Sequence, residues 1–151
     1  MADIKSPEER SRNMSAIKRA DTKPEIYVRK LLFNSGYRYR LQVNTVPGHP
    51  DLWMRKYNVA IFIHGCFWHR HNGCKQAYTP KSKIDFWNNK FEKNIRRDQE
   101  VLEQLKEHNV RCMIIWECTI RQAQKKNGDP EKLKADIEQF LLSDRQYIMN
   151  P

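Results

Sequence analysis

Tyr57-Asn58-Val59-Ala60-Ile61-Phe62-Ile63-His64, running straight into Gly65-Cys66-Phe67-Trp68-His69-Arg70-His71-Asn72-Gly73-Cys74, decides how this chain is organised. The first part is almost wholly apolar. A short apolar run bounded by turn signals reads as a central strand covered on both faces. Its continuation gathers His64, His69, His71, Cys66, Cys74 and the pair Phe67-Trp68 in a dozen positions. Soft metal ligands, titratable imidazoles and stacking rings seldom cluster this tightly for packing alone. The strand end is therefore expected to carry a zinc-braced site beside chemistry or nucleic acid.

Working outward, Asp51–Met54 forms a strand after the Pro47-Gly48-His49-Pro50 turn, and Tyr37–Val43 alternates aromatic or aliphatic residues with Arg and Gln. Upstream, Thr22 is an N-cap, Pro24 sits in the first turn and Glu25 has capping-box spacing, so a helix opens here. Ile26, Val28, Leu31 and Leu32 supply its apolar faces, and Ser35-Gly36 stops it. Downstream, residues 85–108 read as one long helix and Val110–Trp116 as a second buried strand. Pro130–Leu142 is a short amphipathic helix with Leu133, Ile137, Phe140 and Leu141 on one side. The order helix, three strands, helix, strand, helix predicts an α/β sandwich with a mixed sheet, in one domain over residues 22–151. Residues 1–21 are polar with charges of both signs, and read as a flexible arm that orders on a partner.

The 151 residues carry 28 Lys+Arg against 18 Asp+Glu, a net charge of +10. That surplus suits a polyanion, most often nucleic acid, because counterion release drives such binding. The N-terminus has no secretory apolar core, and no run approaches the ~20 apolar residues of a membrane span. A cytoplasmic chain is expected, with its four cysteines as metal ligands or free thiols rather than disulfides.

Cys66, His71 and Cys74 supply three zinc ligands, and Cys118, ending a later strand in Trp116-Glu117-Cys118, supplies a fourth. Cys112 competes for that place, but on an extended strand it lies roughly 20 Å from Cys118, so one ion cannot take both. Its apolar surroundings suit a packed thiol. Asp51 opens one strand and His64 ends the next, which brings them to one sheet edge. A carboxylate there suits Mg²⁺, with His64 and His69 as phosphate contact, general base or leaving-group acid. Alone, a Pro-Asp pair is a turn feature.

Asp98 falls in the middle of the stripe formed by Trp87, Phe91, Ile95, Leu102 and Leu105. A carboxylate there needs a cation, a histidine or strong donors; His69 would make an oriented pair, and a buried Arg is the alternative. Glu25 either caps its helix or reaches the water around the metal. Phe67 and Trp68 stand between metal ligands in a loop, and Trp87 begins a helix bearing Lys90, Lys93, Asn94, Arg96 and Arg97. Apolar wedges beside basic residues are what insertion at a base step requires; core packing is the alternative for Trp87.

Together these residues closely resemble the very short patch repair (Vsr) mismatch endonucleases of bacteria. The matching segments are Arg12-Asn13-Met14, the helix starting at Glu25, Pro47–Asp51, His64–His69, Phe86-Trp87, Lys90, Asn94, Asp98 and Trp116–Cys118. The resemblance implies a restriction-endonuclease-like core and a strand-specific nick beside the T of a T:G mismatch left by deaminated 5-methylcytosine. It implies Mg²⁺ on Asp51 and the Ile63 backbone carbonyl, with His64, His69, Asp98 and Glu25 completing the active site. Cys66, His71, Cys74 and Cys118 would hold structural zinc. Phe67, Trp68 and Trp87 would wedge into the duplex, Met14 and the arm would grip the other groove, and Lys90 and Asn94 would read the mismatch. Implied partners are double-stranded DNA with a T:G mismatch, mismatch-repair proteins such as MutL, and a repair polymerase, for a monomer working at the bacterial nucleoid.

The chain departs from the family pattern in three places. Ile63 stands where Thr is usual, Asn72-Gly73 lengthens the loop before Cys74, and His49 replaces an Arg. The expected enzyme is a zinc-containing, Mg²⁺-dependent nicking endonuclease, with His69 as base, oriented by Asp98, and His64 on the phosphate. Its rivals are a restriction- or homing-type nuclease acting on unmismatched DNA, a ββα-metal nuclease, and a non-catalytic zinc DNA-binding module.

Overall fold

The first helix begins where capping chemistry places it. In the computed structural model, which describes residues 22–150, α1 spans Lys23–Asn34 and the Thr22 hydroxyl accepts the Glu25 N–H at 3.4 Å. Val28 and Leu32 turn inward and are fully buried. The N-terminal arm, Met14 included, lies outside the described residues.

Five strands follow: β1 (Arg40–Leu41), β2 (Leu52–Met54), β3 (Val59–His64), β4 (Arg111–Trp116) and β5 (Tyr147–Asn150). They lie side by side in that order, with β1–β2 and β2–β3 antiparallel and β3, β4 and β5 mutually parallel. Three more helices connect them: α2 (Ile84–Glu107), α3 (Glu117–Gln124) and α4 (Pro130–Leu141). The fold is therefore α/β, a mixed sheet flanked by helices.

Strand alternation divides the core into two layers. Val59, Ile61, Met113 and Ile115 pack with Val28 and Leu32 of α1, Ile120 of α3 and Leu133, Ile137 and Phe140 of α4. Ala60, Phe62, Cys112, Ile114 and Trp116 face the opposite way, toward Leu105 of α2. Covered on both sides, β3 and β4 have the continuous apolar sequences expected of buried parallel strands. No helix among the described residues is long and apolar enough to cross a membrane.

Four expectations are corrected. The Tyr37–Val43 strand contracts to Arg40–Leu41, because Tyr39 donates to the Arg29 carbonyl at 2.9 Å and Gln42 turns to φ +49°. The long helix starts and ends one residue early. Cys118 lies in the first turn of α3, a helix that was not anticipated, rather than at a strand end. The edge strand β5 was not anticipated either.

Register fixes where the chemistry sits. His64 pairs with Trp116, so β3 and β4 end at the same level, and Leu52 pairs with Ile61, bringing Asp51 alongside that end. Gly48 makes the close approach possible. Its φ is +82°, and a Cβ there would stand 2.5 Å from Val101 Cγ1 on α2 and 3.1 Å from the Phe62 ring.

Candidate active site and metal centre

Asp51 is held from the sheet. Its Oδ2 accepts the Ile63 N–H at 2.7 Å, and the Gln42 side chain bonds it as well. Glu25, only 4 % exposed, reaches the same end of the sheet from the first turn of α1 and pairs with Arg29 at 3.2 Å. Burial pushes the Asp51 carboxyl up to about 6 and the charge on Glu25 adds to that, against the Ile63 N–H. A buried carboxylate beside a second one is relieved by a hard divalent cation, which takes oxygen ligands. The donor set at this edge fits magnesium.

Beside it, the rings of His64 and His69 stack. His64 is 7 % exposed, and burial, followed by the neighbouring His69, pulls it down to about 3, so it is neutral near pH 7. Its Nδ1 is buried with no hydrogen-bond partner among the described residues. His69 comes from the loop after β3, where its N–H bonds the Gly65 carbonyl at 3.0 Å. Its Nδ1 lies 2.7 Å from Asp98 Oδ2 of α2. Asp98 thus has a histidine partner, not an Arg. His64, His69 and Asp98 line one cavity of about 640 Å³ together with Asp51, Glu25, Trp68, Lys90, Asn94 and Arg97.

On the other side of the loop, the ligand atoms of Cys66, His71, Cys74 and Cys118 all lie within 4.8 Å of one another. His71 Nδ1 is 3.6 Å from Cys66 Sγ and 3.4 Å from Cys118 Sγ. Tetrahedral zinc, with bonds of about 2.0 Å to nitrogen and 2.3 Å to sulfur, sets such edges near 3.5 Å, so the cluster fits zinc. The His71 ring stacks on Trp116 with centres 4.2 Å apart, which fixes its plane. Burial pulls the Cys74 thiol upward, but backbone N–H groups of Gln76 and Ala77 and the neighbouring thiols outweigh it and hold Cys74 below its usual range. Donors aimed at sulfur favour thiolate, the form that binds metal. Cys112 stands apart in the core, where burial pushes it up to about 12.

The aromatic residues form one connected surface. Phe67 meets Trp68 at 5.0 Å, Trp87 at 5.5 Å and Phe91 at 5.2 Å, mostly edge to face. Trp68 and Trp87 are half-buried, and the Lys90 ammonium lies 5.9 Å over the Trp68 ring. Asn94 donates to the Trp68 carbonyl at 3.0 Å, so this amide holds the loop that carries the ring.

All the expected site residues from Glu25 to Cys118 thus gather along one end of the sheet, in two groups separated by the loop. Sequence reasoning missed Gln42 and Arg70. Gln42 lies in a stretch taken for strand, and nothing in its spacing marks it as a partner of Asp51. Arg70, between two metal-type ligands, was the more visible of the two, as a long basic side chain inside an aromatic loop.

A model of the family described as DNA mismatch endonuclease Vsr matches residues 2–76. The DNA mismatch endonuclease Vsr of Escherichia coli K12 is 36% identical over 95% of this chain and 90% of its own. A type II nicking enzyme of Neisseria meningitidis, V.NmeAIP, is 40% identical over 80% of this chain and 86% of its own. Another, V.XorIIP of Xanthomonas oryzae, is 40% identical over 80% and 88%.

Proposed function

Because the chain belongs to the Vsr family of DNA mismatch endonucleases and is a DNA endonuclease, we propose that it nicks one strand of duplex DNA beside the T of a T:G mispair. One observation carries the reading: the His69–Asp98 pair, at 2.7 Å, lines the same cavity as Asp51 and Trp68, the one ring of the aromatic surface that reaches it. A hydrolytic pair and a wedge facing one space suit a substrate that must be distorted and cut at neighbouring positions.

In this mechanism Asp51, with the Ile63 carbonyl and Glu25 nearby, would hold magnesium. An ion bound there would supply positive charge to the scissile phosphate and its attacking water. The remaining work falls to side chains. Asp98 accepts the Nδ1–H of His69, which leaves Nε2 as the acceptor that removes the proton from water as its oxygen attacks phosphorus and the bond to the leaving oxygen breaks. His64, kept neutral by burial, contacts a phosphate oxygen as hydrogen-bond donor through Nε2, because its Nδ1 is enclosed. The core is read as restriction-endonuclease-like, with structural zinc on Cys66, His71, Cys74 and Cys118.

Phe67, Trp68 and Trp87 form the wedge, Lys90 and Asn94 lie at the mispair, and Met14 with the rest of residues 1–21 grips the other groove. The net charge of +10 supports a duplex partner. The enzyme is proposed to act as a monomer and to hand its nick to mismatch-repair proteins and a repair polymerase.

Two relatives are named type II nicking enzymes, and the second reading is a nuclease that acts on unmismatched DNA. Mapping nicks on matched T:G and T:A duplexes, with and without magnesium, separates the two. Nicking confined to T:G with magnesium is expected. Equal cutting of both duplexes would sink the mismatch reading, and cutting without any divalent cation would sink the role given to Asp51.

A further inference from the structure

Arg70 binds more of the loop than any residue around it. Its Nη1 donates to the Phe67 carbonyl at 3.3 Å and the Tyr78 carbonyl at 2.9 Å. Its Nη2 donates to the Ala77 carbonyl at 2.8 Å and the Thr79 hydroxyl at 3.2 Å. The guanidinium also lies 3.9 Å over the Phe91 ring of α2 and 5.8 Å from the Phe67 ring. One planar cation thereby ties the start of the loop, its far end and the long helix into a single body. Its own backbone, at φ +56°, sits in the chain between Cys66 and His71, two members of the metal-type cluster.

What that knot holds outward is Tyr78. The Tyr78 ring is 61 % exposed, yet lies 5.2 Å from the Phe67 ring, at the edge of the Phe67, Trp68 and Trp87 surface. Arg70 contacts only the backbone of Tyr78, which leaves the ring face open. An exposed ring with a fixed backbone buries too little area to matter for the core, but it has what a stacking platform needs: a rigid base and a wet face. Lys75, Lys81 and Lys83, all exposed, lie on the same connection, so the surroundings carry the charge that a nucleic acid would meet.

We propose, on the reading that this face meets DNA, that Tyr78 is a fourth base-contacting ring of the aromatic surface and that Arg70 is the positioning residue that holds it there. Tyr78 extends the stacking surface beyond Phe67 and Trp68 toward bases flanking the mispair. Arg70 never touches DNA in this arrangement; it sets the backbone from which the ring projects.

The test is binding of the full-length, zinc-containing protein to a short fluorescent T:G duplex and its T:A counterpart, with magnesium omitted so that nothing is cut. Tyr78→Leu is expected to weaken binding by about five- to tenfold, within the range for one stacked base, with zinc content and melting temperature unchanged. Tyr78→Phe, which keeps the ring, should restore affinity. Arg70→Met should lose affinity to a similar degree, and the double variant should be no weaker than the weaker single variant, since both remove one contact. Wild-type affinity for Tyr78→Leu on both duplexes would overturn the inference, and additive losses in the double variant would overturn the role of Arg70. The mismatch reading is judged separately, by the wild type's own preference for T:G over T:A. A Tyr78 effect on both duplexes alike would still support the DNA contact.

Discussion

The imidazoles of His64 and His69 lie face to face, their ring centres 3.8 Å apart and their planes 9° from parallel. Two positive rings at that distance repel, and the pair avoids this through burial that keeps His64 neutral. In the proposed mechanism proton handling falls to His69, whose Nδ1 is held by Asp98. The stack also sets the orientation of the His69 plane.

Asp98→Asn should reduce cleavage by at least about a hundredfold, because an amide in place of the carboxylate neither orients the Nδ1–H tautomer nor stabilises the charged ring. DNA affinity, zinc content and melting temperature should stay close to wild type, since Asp98 is partly exposed and does not belong to the core. Single-turnover nicking measures the first, and a matching loss of affinity would point to a structural role.

Asp51→Asn should abolish cleavage and yet stabilise the metal-free protein at alkaline pH. With its folded pKa raised from 3.8 to about 6, Asp51 favours folding below about pH 4, and this is lost as pH rises through 6. At pH 8 the variant should be more stable than wild type by on the order of 2 kcal/mol, and the gap should close toward pH 4 or when magnesium is added. Thermal melts across pH decide it; a gap that does not vary with pH would contradict the assignment.

Cys118→Ala and Cys112→Ala should behave in opposite ways. The first is expected to lose zinc and several kcal/mol of stability with it, by analogy with structural zinc sites generally. The second should keep its zinc and lose about 1 kcal/mol from the core. Metal analysis alongside melting separates them; retained zinc in the first variant would break the proposed ligand set.

Gly48→Ala tests the turn that presents Asp51. The added methyl meets Val101 Cγ1 at 2.5 Å on a backbone with φ +82°, so both a clash and conformational strain oppose it. A loss of about 2 kcal/mol and of most activity is expected. At Gly73, also at positive φ but with open space around it, only the strain of about 1 kcal/mol should remain. Adding Val101→Ala to the first variant should recover part of its stability, and failure to do so would place the fault elsewhere.

Trp68→Ala should weaken binding to a T:G duplex by about tenfold and to a T:A duplex less, as expected of a ring that enters a weakened base step. Equal losses on both would count against wedging.

The central strands were legible because burial on both faces leaves an apolar run that nothing else in a short segment produces. Val59–His64 and Arg111–Trp116 lie inside the expected strands, and the long helix is off by one residue at each end. What failed were elements whose formation depends on neighbours. The helix Glu117–Gln124 buries only Ile120 and Ala123, and Tyr147–Asn150 becomes a strand only by pairing with β4. Among the site residues, the cysteines and histidines announced themselves by density. The alternation of Tyr37–Val43 misled: Tyr37 and Tyr39 pack against the core without a ladder on both sides. Asp98 was legible as an anomaly on an apolar stripe, although that stripe is looser than expected, with Ile95 42 % exposed.

The parallel register that ends β3 and β4 at one level has a topological consequence. Cys66 and Cys118 each lie two residues beyond their strands, so an ion shared by them would close the chain into a ring of which the whole of α2 is a part. Closing a loop of about fifty residues removes on the order of 4 kcal/mol of chain entropy from the unfolded ensemble, if a metal clip acts as a disulfide would. The helix that forms part of that ring is the one that carries Asp98. Withdrawing the ion would therefore slacken the His69–Asp98 pair at both members, Asp98 through the opened ring and His69 through the loop it shares with Cys66 and His71.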